Sequence, residues 1–426
     1  MSSALVVSRF FPFDSQRVHA VYQRLGTQIQ ALARVFERVE CLFLVPPGQQ
    51  RTTEELQQRE SGLRALWSPA LSLRLAPVVQ EEAPSNAWER LGRGIFDFRA
   101  HPIARPVSNA PALAAVRDAV AEKPDLILAH RLSAMCLLMQ LPDLPRNVPV
   151  FFDLDDIEHV AWFRRLLHDP GWPGERLLLL QTPRLMLAEL QAMRLAAATF
   201  VCSETDRRYL ARFAGEDRVQ LVPNSVPFPQ VQPGDASEPL VLFVGSMGSR
   251  PNAQAVDSLV QSIWPLVHAR VPAACLAIIG QGAELTRSYP SANPSVSFLG
   301  FVEDLHAWYR RARVVCCPIY HGSGTRVKII EAAAHSKAVV STRVGAEGLS
   351  FIDGREIVLR DRPSDLAEAC IELLLDAHAA AQLGRAARAR AASLYERGAV
   401  VERLAQIFRS GIAAQRPTPT VDTGRS

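Results

Sequence analysis

Short apolar runs alternate with segments of helical period along most of the chain. Residues 4–8 are apolar, residues 16–38 repeat hydrophobic positions at helical spacing, and residues 40–45 are apolar again. Strand, helix and strand at this scale are typical of a parallel α/β unit. The same pattern of strand and helix begins again at residues 240–244, where another apolar run leads into a predicted helix that begins near Ala253. The pattern therefore predicts an α/β protein with two parallel sheets.

The chain is longer than one hydrophobic core usually serves, and a proline-rich stretch divides it. Residues 223–239 hold five prolines among few apolar neighbours, which is typical of a linker. We therefore predict a first domain over residues 1–222 and a second over residues 240–395. A last helix is expected over residues 396–413, and the tail over residues 414–426 is expected to be disordered.

Two segments of the first domain need separate interpretation. Residues 177–198 show the spacing of one long amphipathic helix, whose apolar face either packs in the core or contacts a membrane. Residues 80–108 are rich in proline, arginine and aromatic residues and have no clear period. We interpret this second segment as a surface insertion or lid.

Composition changes this picture only slightly. The net charge of +4 and the dispersed arginines argue weakly for an anionic substrate or membrane surface and give little support to nucleic acid. The seven cysteines show no metal-ligand spacing, which favours buried thiols in a reducing compartment. The start of the chain does not resemble a signal peptide, and no apolar run approaches the roughly 20 residues that span a bilayer. We expect a cytoplasmic protein, with the inner face of the membrane as an alternative location.

The strongest chemical signal is a glycine turn between a strand and a helix. The sequence Gly-Ser-Gly at residues 322–324 follows an apolar run and precedes a segment of helical period. The first turn of a helix has unpaired N–H groups and attracts anions, and glycine lets a ligand approach the backbone. Arg326 and Lys328 add two positive charges beside this turn, and Glu331 follows one turn later as an acceptor for hydroxyl groups. Together these groups suggest a site for a sugar nucleotide.

An ordinary turn followed by a solvated helix face explains the same residues without any ligand. The distribution of lysine favours the anion site, because Lys123, Lys328 and Lys337 are the only lysines among 47 basic residues. Two of the three therefore fall close to the turn. A lysine kept in an arginine-rich chain suggests a role for a compact charge on a flexible stem.

The residues from the turn onward resemble a known nucleotide-sugar motif. The stretch resembles the retaining GT-B glycosyltransferases of the glycogen-synthase-like group, which build many bacterial surface polysaccharides. Relatives carry G-G-G-T-R-x-K-x-x-E-A, then P-V-V-S-T and G-x-E-G-L, and this chain matches at Gly322, Gly324, Thr325, Arg326, Lys328, Glu331, Ala332, Val339 to Thr342, Gly345, Glu347, Gly348 and Leu349. The resemblance extends back through Pro251–Ala253 and 300–305, and it is weaker in the first half.

The resemblance implies a fold and a set of site residues. It implies two facing Rossmann-like domains with parallel sheets, and a C-terminal crossover helix that packs back on the first domain. The residues that it places at the reacting bond and the diphosphate are His130, Arg250, Arg326 and Lys328. The residues that it places around the rest of the donor are Gly245, Ser246, Phe301, Val302, Gly322, Ser323, Gly324, Thr325, Glu331 and Glu347.

Three departures from the family pattern limit what can be carried over. Ser323 stands where many relatives have a second glutamate, so the donor sugar cannot be inferred. The loop after the first strand, at residues 10–17, contains no glycine, although relatives often have a glycine-rich acceptor loop there. Relatives usually have a lysine a few residues after the position of Arg250, and this chain has none there, which leaves that arginine alone in this role toward the diphosphate.

An acidic cluster at the end of a strand in the first domain allows two interpretations. Its members are Asp153, Asp155, Asp156 and Glu158. Carboxylates at this spacing bind Mg²⁺ or Mn²⁺, but aspartates also cap helices, and a helix is predicted from about Ile157. Relatives offset the diphosphate charge without a metal. We therefore predict no metal, and expect capping together with acceptor-side contacts.

The combined prediction is a glycosyltransferase that moves a sugar with retention of configuration. Its co-substrate is a nucleoside-diphosphate sugar, and no separate cofactor is expected. Its acceptor is a glycan or a lipid-linked molecule in cell-surface polysaccharide synthesis, with peripheral membrane contact as a further expectation. Two alternatives remain open at this point, a sugar-nucleotide 2-epimerase of the same fold and a non-catalytic sugar-nucleotide-binding scaffold.

Overall fold

The computed structural model describes residues 2–12, 20–46, 52–79, 86–168, 170–229, 238–291 and 293–415. They fall into two compact units. The first unit comprises Met1–Val222 together with Ala399–Ser426, and the second comprises Pro223–Gly398.

Helices and strands alternate through both units. The strands are β1 (Ser3–Ser8), β2 (Arg38–Val45), β3 (Leu71–Pro77), β4 (Leu126–His130), β5 (Val150–Asp155), β6 (Ala198–Val201), β7 (Val219–Leu221), β8 (Leu240–Val244), β9 (Cys275–Ile279), β10 (Val296–Gly300), β11 (Val314–Cys317), β12 (Ala338–Ser341) and β13 (Val358–Leu359). The helices are α1 (Ala20–Leu32), α2 (Thr53–Leu66), α3 (Ala87–Phe96), α4 (Ala110–Ala121), α5 (Leu132–Leu138), α6 (Glu158–His168), α7 (Thr182–Leu195), α8 (Glu204–Ala214), α9 (Arg250–Ser258), α10 (Trp264–Arg270), α11 (Leu305–Arg311), α12 (Val327–Ala334), α13 (Pro363–Leu375), α14 (Ala377–Tyr395) and α15 (Arg397–Gln415).

The first unit is built on a parallel sheet with order β3-β2-β1-β4-β5-β6-β7 over its described residues. Alternate residues of β1 point to opposite faces, so Leu5 and Val7 pack in one core and Ala4 and Val6 in the other. Helix α15 contributes to the second of these cores. Its Phe408 ring meets the ring of Phe151 edge to face, with centroids 5.1 Å apart. Parallel sheets are covered on both faces, and the near-continuous apolar runs of the sequence follow from that burial.

The second unit repeats this plan with order β10-β9-β8-β11-β12-β13, again in parallel over the described residues. Its core includes Phe243 from β8 and Trp264 from α10, both almost fully buried. The α/β prediction with two parallel sheets is therefore confirmed.

The proline-rich stretch is not a linker over its whole length. Residues 223–229 belong to the second unit, where Asn224 donates a hydrogen bond to Thr325 Oγ1 at 2.8 Å. Val226 is buried in the same unit and pairs with Glu396. Residues 230–237 lie outside the described residues. These contacts explain why residues 223–229, which hold three of the five prolines, pack as part of the second unit.

Other boundaries also differ from the sequence prediction. The segment 177–198 is divided, because Pro183 sets the start of α7 and a 3₁₀ helix, Pro173–Gln181, precedes it. The insertion at 80–108 contains α3, whose first turn is capped by the side chain of Asn86; residues 80–85 lie outside the described part. The last helix extends to Gln415, two residues into the predicted tail, and residues 416–426 are not among those described.

Within the described stretches, none of the helices combines the length and apolarity needed to cross a bilayer.

Candidate functional site

The predicted donor residues gather at the point where the strand order of the second sheet reverses. Strands β8 and β11 are neighbours, and each is followed at its carboxyl end by a glycine-containing loop. Parallel α/β sheets bind ligands at this switch point. Residues 245–249 follow β8, and residues 318–326 follow β11 and lead into α12.

Glycine is required in the turn after β11 and also at Gly280, which follows β9 and contacts the loop after β8. A Cβ atom on Gly280 would lie 2.0 Å from the carbonyl oxygen of Gly245, so the backbones of two loops touch at this point. Gly322 and Gly324 have φ angles of 116° and 78°, which residues other than glycine rarely adopt. The backbone of these glycines therefore lines part of the switch point, next to the side chains of Lys328 and Arg326.

Lys328 fills the space beside Gly245. Its ammonium donates to Asn252 Oδ1 at 2.8 Å and lies 4.5 Å from the centroid of the Phe243 ring. A Cβ on Gly245 would lie 2.5 Å from the same ammonium nitrogen, so the lysine directly faces the loop after β8. Burial lowers the pKa of Lys328 to about 8. Among the described residues no carboxylate forms an ion pair with it, which leaves a partly buried charge that an anionic ligand would stabilise.

Arg326 holds the shape of the glycine turn. Its Nη1 donates to the carbonyl oxygens of Ser323 and Gly324, the second at 2.9 Å. Its Nη2 faces Gly322, where a Cβ would lie 2.8 Å away, while its buried Nε has no hydrogen-bond partner in the described part of the chain. Arg326 thus braces the turn and brings positive charge to it.

Arg250 is the first residue of α9, next to the same glycine turn. Its side chain is exposed, and the next residue, Pro251, lies 3.5 Å from the Cβ position of Gly322. Ser246, in the loop between β8 and α9, accepts a hydrogen bond from the N–H of Gly248 at 3.3 Å. The structure therefore brings Arg250, the loop after β8 and the glycine turn to one edge of the sheet.

Glu331 is positioned by a residue that the sequence analysis did not single out. The buried Tyr309 hydroxyl donates to Glu331 Oε2 at 3.2 Å, and the Tyr309 ring stacks on His335 with centroids 4.6 Å apart. An aromatic residue on the inner side of a helix gives no signal of this role, because packing explains it equally well. Asn252, which accepts from Lys328, was part of the quoted motif but had no assigned role.

The remaining predicted donor residues lie around this edge in different environments. Thr325 is buried and accepts a hydrogen bond from Asn224 at 2.8 Å, so its hydroxyl also anchors the start of the second unit. Phe301 follows β10 and is 47% exposed, and Val302 beside it is partly buried. Glu347 is half-buried in a turn of the segment 342–349.

The acidic cluster of the first unit is organised by an arginine that the sequence did not reveal. Arg24 of α1 lies in the core with Asp153, whose side chain is fully buried, and their closest atoms are 2.5 Å apart. Arg24 also lies 3.4 Å from Asp155 and donates to the carbonyl oxygen of Val222. Burial lowers the pKa of Arg24, but the carboxylates of Asp153 and Asp155 more than offset it, and the pKa is raised. Asp153 is therefore a buried structural residue.

The expected helix cap comes from a different residue. The N–H groups of Glu158 and His159 at the start of α6 donate to the carboxylate of Glu189 at 2.7 Å and 3.3 Å. Glu189 belongs to α7, so the cap is a tertiary contact that local sequence does not show. Glu158 itself is near Arg131, and burial raises the pKa of the Glu158 carboxyl to about 7. It is a carboxyl group that changes charge near neutral pH.

Asp155, Asp156 and Cys202 come together closely enough to suggest a metal site. Their ligand atoms lie within 4.8 Å of one another. The donor set fits a cation poorly, however, because Asp155 is already paired with Arg131 and Arg24, and the thiol of Cys202 donates to Asp156 at 3.6 Å. Burial raises the pKa of Cys202 well above its usual value, which keeps the thiol protonated.

His130 ends β4, at the switch point of the first sheet. It is fully buried, and its Nδ1 lies 2.8 Å from Ser8 Oγ. Its Nε2 has no hydrogen-bond partner in the described residues and lies 3.8 Å from Asp153. Burial lowers the pKa of His130 to about 4, so the ring is neutral. Its role toward a donor sugar stays a prediction.

Comparison with known proteins agrees with this geometry. Residues 238–376 match the family model described as glycosyl transferases group 1. No curated protein matches the sequence. Among solved structures, the chain resembles sucrose-phosphate synthase from Thermosynechococcus elongatus, with 19% identity, a TM-score of 0.67, and coverage of 97% of this chain and 100% of the other.

Two further structures have the same fold. Anabaena HepE, solved in complex with UDP-glucose, is 15% identical with a TM-score of 0.62, and the match covers 96% of this chain and 100% of HepE. WaaG, a glycosyltransferase involved in lipopolysaccharide biosynthesis, is 15% identical with a TM-score of 0.61, and the match covers 95% of this chain and 99% of WaaG. At these identities the likeness shows the fold, which is that of GT-B proteins.

Proposed function

We propose that this chain, whose residues 238–376 form a group 1 glycosyl transferase domain within a GT-B fold, transfers a sugar from a nucleoside-diphosphate sugar to an acceptor hydroxyl. The observation that carries the proposal is the convergence of Lys328, Arg326 and two glycine loops at the switch point of the second sheet. A partly buried lysine that forms no ion pair with the described carboxylates, next to glycine backbone, is suited to bind a diphosphate.

Leaving-group stabilisation would be the main catalytic contribution of these residues. As the bond between the sugar and the diphosphate breaks, negative charge grows on the diphosphate. Lys328, Arg326 and Arg250 are fixed charges at the place where that charge develops, so they stabilise the transition state more than the ground state. The partly buried position of Lys328 strengthens this effect, because less water screens the charge than at the surface.

Glu331 would accept hydrogen bonds from the ribose hydroxyls of the donor. The hydroxyl of Tyr309 donates a hydrogen bond to Oε2 of Glu331, which helps to fix the orientation of the carboxylate. Tyr309 is 1% exposed and does not contact the ligand itself, so it is a positioning residue.

Replacement of Tyr309 with phenylalanine tests this assignment. We expect the affinity for the best-binding nucleoside diphosphate to fall by about fivefold, because Glu331 loses the hydrogen bond that orients it. The affinity for the corresponding 2′,3′-dideoxy compound should be the same in both proteins. Calorimetric titration measures both affinities, and an equal loss for the two ligands would show that Tyr309 serves only the packing of α11.

Retention of configuration follows if the acceptor attacks from the side of the leaving group. In that step the acceptor oxygen bonds to the anomeric carbon, the bond from that carbon to the diphosphate breaks, and the acceptor proton passes to a diphosphate oxygen. The resemblance to retaining enzymes supports this mechanism, and no nucleophile is assigned. No metal enters it, since the cations around the glycine turn offset the diphosphate charge.

The acceptor is proposed to be a glycan or a lipid-linked molecule at the cytoplasmic side of the membrane. Support comes from WaaG, which acts in lipopolysaccharide biosynthesis, and from TarM of S. aureus, solved with fondaparinux, α-GlcNAc-glycerol and UDP. The residues assigned to the acceptor side are Asp155, Asp156 and Glu158, since Asp153 is occupied by Arg24.

Product analysis with a panel of donors distinguishes the candidate functions. The protein is incubated with UDP-, GDP-, ADP- and dTDP-sugars, and products are followed by mass spectrometry and proton NMR. We expect one donor to be slowly hydrolysed without acceptor, and its sugar to appear first with the donor's anomeric configuration. Appearance of an altered sugar nucleotide would instead identify an epimerase. Binding without any turnover would identify a scaffold, for which Ser323 in place of glutamate is the supporting observation.

A further inference from the structure

The first unit carries a surface on which large apolar side chains are exposed together. We call it the apolar face; it is formed by α3, by the 3₁₀ helix Pro173–Gln181, and by parts of α6 and α7. Its exposed members are Trp88 (70%), Phe96 (84%), Phe163 (45%), Leu167 (41%), Trp172 (55%), Leu177 (46%), Leu180 (58%) and Leu187 (52%). Soluble proteins rarely leave so many large apolar side chains exposed in neighbouring elements without a function.

A cavity of about 480 Å³ opens within the apolar face. Trp88 and Leu91 of α3 line it together with Trp172, Leu177 and Leu178 of the 3₁₀ helix and its approach. Gln181 closes part of it by donating to the carbonyl oxygen of Leu91 at 3.2 Å. A mostly apolar cavity of this volume has the size of sites that take small apolar ligands or part of a hydrocarbon chain.

The segments that form the apolar face are also basic. Residues 86–105 and 161–187 contain eight arginines and four acidic residues, so they carry a net charge of +4. The rest of the chain contains 39 basic and 39 acidic residues, which cancel. The whole net charge of the protein is thus accounted for by the two segments around this face.

Some of these arginines are available to an external anion. Arg93, Arg99 and Arg165 form exposed ion pairs with neighbouring carboxylates, which are weak. Arg105, which lines the cavity, and Arg176 form no ion pair in the described part of the chain. Exposed tryptophan and phenylalanine flanked by arginine is the combination that proteins use at the boundary between lipid headgroups and acyl chains.

We propose that the apolar face docks on an anionic phospholipid leaflet. Trp88, Phe96 and Trp172 would enter the boundary between headgroups and acyl chains, one acyl chain would occupy the cavity, and Arg105 and Arg176 would contact the phosphates. The positive charge favours a lipid surface over a second copy of the chain, because two such faces would repel each other. The proposal does not depend on sugar transfer.

Vesicle sedimentation tests the proposal with the full chain and no sugar nucleotide. Vesicles of phosphatidylcholine are compared with vesicles that contain about one third phosphatidylglycerol, at low and high salt. We expect binding to the anionic vesicles only, weakened by salt. The variant Trp88→Ser/Phe96→Ser should bind at least about tenfold more weakly, since two interfacial anchors are lost. The matched control Leu266→Ser/Leu375→Ser removes two exposed leucines of the second unit and should bind as the wild type does.

Vesicles with bromine atoms along the acyl chains test insertion directly. Tryptophan fluorescence of the wild type should be quenched, and the variant Trp88→Phe/Trp172→Phe should lose most of that quenching while its Phe side chains keep it bound.

The proposal would be overturned if the wild type bound neither kind of vesicle, or bound the neutral and the anionic vesicles equally. Concentration-dependent dimerisation that Trp88→Ser/Phe96→Ser abolishes, without vesicle binding, would assign the face to a second copy. Donor binding is measured without lipid, so failure here is distinct from failure of the proposed function.

Discussion

Replacing Lys328 with methionine is expected to lower the affinity for a nucleoside diphosphate by about 100-fold, or about 2.7 kcal/mol. Methionine keeps the length of the stem and removes the charge. The ammonium of Lys328 faces the backbone at Gly245, with only Asn252 as a hydrogen-bond acceptor and no ion pair among the described carboxylates. A bound diphosphate would therefore gain a strong, poorly screened contact that the variant cannot supply. Calorimetric titration with UDP, GDP, ADP and dTDP measures the loss.

Lys337 provides a matched control for this substitution. It is a buried lysine of the second unit, and its ammonium donates to the carbonyl oxygen of Arg310 at 2.7 Å. We expect Lys337→Met to lower thermal stability while the affinity for the diphosphate stays within about twofold of the wild type. Equal losses of affinity in the two folded variants would show that Lys328 acts through stability and is not part of the donor site.

The second large effect is expected from the buried ion pair of the first unit. Replacing Arg24 with methionine should lower the free energy of unfolding by about 3–5 kcal/mol. The substitution removes the partner of Asp153, which is fully buried, and a neighbour of Asp155, which is 5% exposed. A buried carboxylate left without its guanidinium keeps the cost of its desolvation and loses the compensating attraction. Urea unfolding measures the change in the free energy of unfolding. Hydrogen exchange at the amides of β5 assigns that change to the first unit.

Two further variants make this prediction specific. Arg99→Met breaks an exposed ion pair with Asp97 and should cost less than about 1 kcal/mol. Adding Asp153→Asn to Arg24→Met should recover part of the lost stability, because the buried charge is removed with its partner. A loss below about 1 kcal/mol for Arg24→Met would contradict the structural assignment, and would return Asp153 to the acceptor side.

Local sequence was sufficient for the elements that depend on neighbours in the chain. The apolar runs predicted both parallel sheets, because strands covered on two faces are apolar throughout. The turn at 322–324 was predicted because its two glycines lie between an apolar run and a segment of helical period, and both have positive φ angles in the structure. Lys328 was predicted from its place beside this turn, and the rarity of lysine in this chain supported that prediction.

The parts that were missed depend on residues distant in sequence. Arg24 and Asp153 are separated by 129 positions, and Glu189 caps a helix that begins 31 residues earlier. Neither contact has a local signal, because a single charged residue in an amphipathic helix is usually solvated. The cap was therefore assigned to the nearest carboxylates, at 153–156. Likewise Tyr309 gave no sign that it orients Glu331, since burial alone explains an aromatic residue on a helix.

The titration of Lys328 gives a further consequence of the same site. Its pKa in the free protein is about 8, below the value for an exposed lysine, because burial disfavours the charge. The folded protein therefore binds fewer protons than the unfolded chain between about pH 8 and pH 10.5, so this group adds stability as the pH rises through that window. A bound diphosphate has the opposite effect, because it stabilises the charged ammonium and raises the pKa.

Proton uptake on ligand binding is the most direct test that Lys328 meets the diphosphate. The best-binding nucleoside diphosphate is titrated at pH 8 in two buffers with different ionisation enthalpies. Because part of the Lys328 population is neutral near that pH, we predict uptake of a fraction of a proton per bound ligand that Lys328→Met lacks. Tight binding without proton uptake, and with the same affinity in Lys328→Met, would contradict a donor site at the switch point of the second sheet.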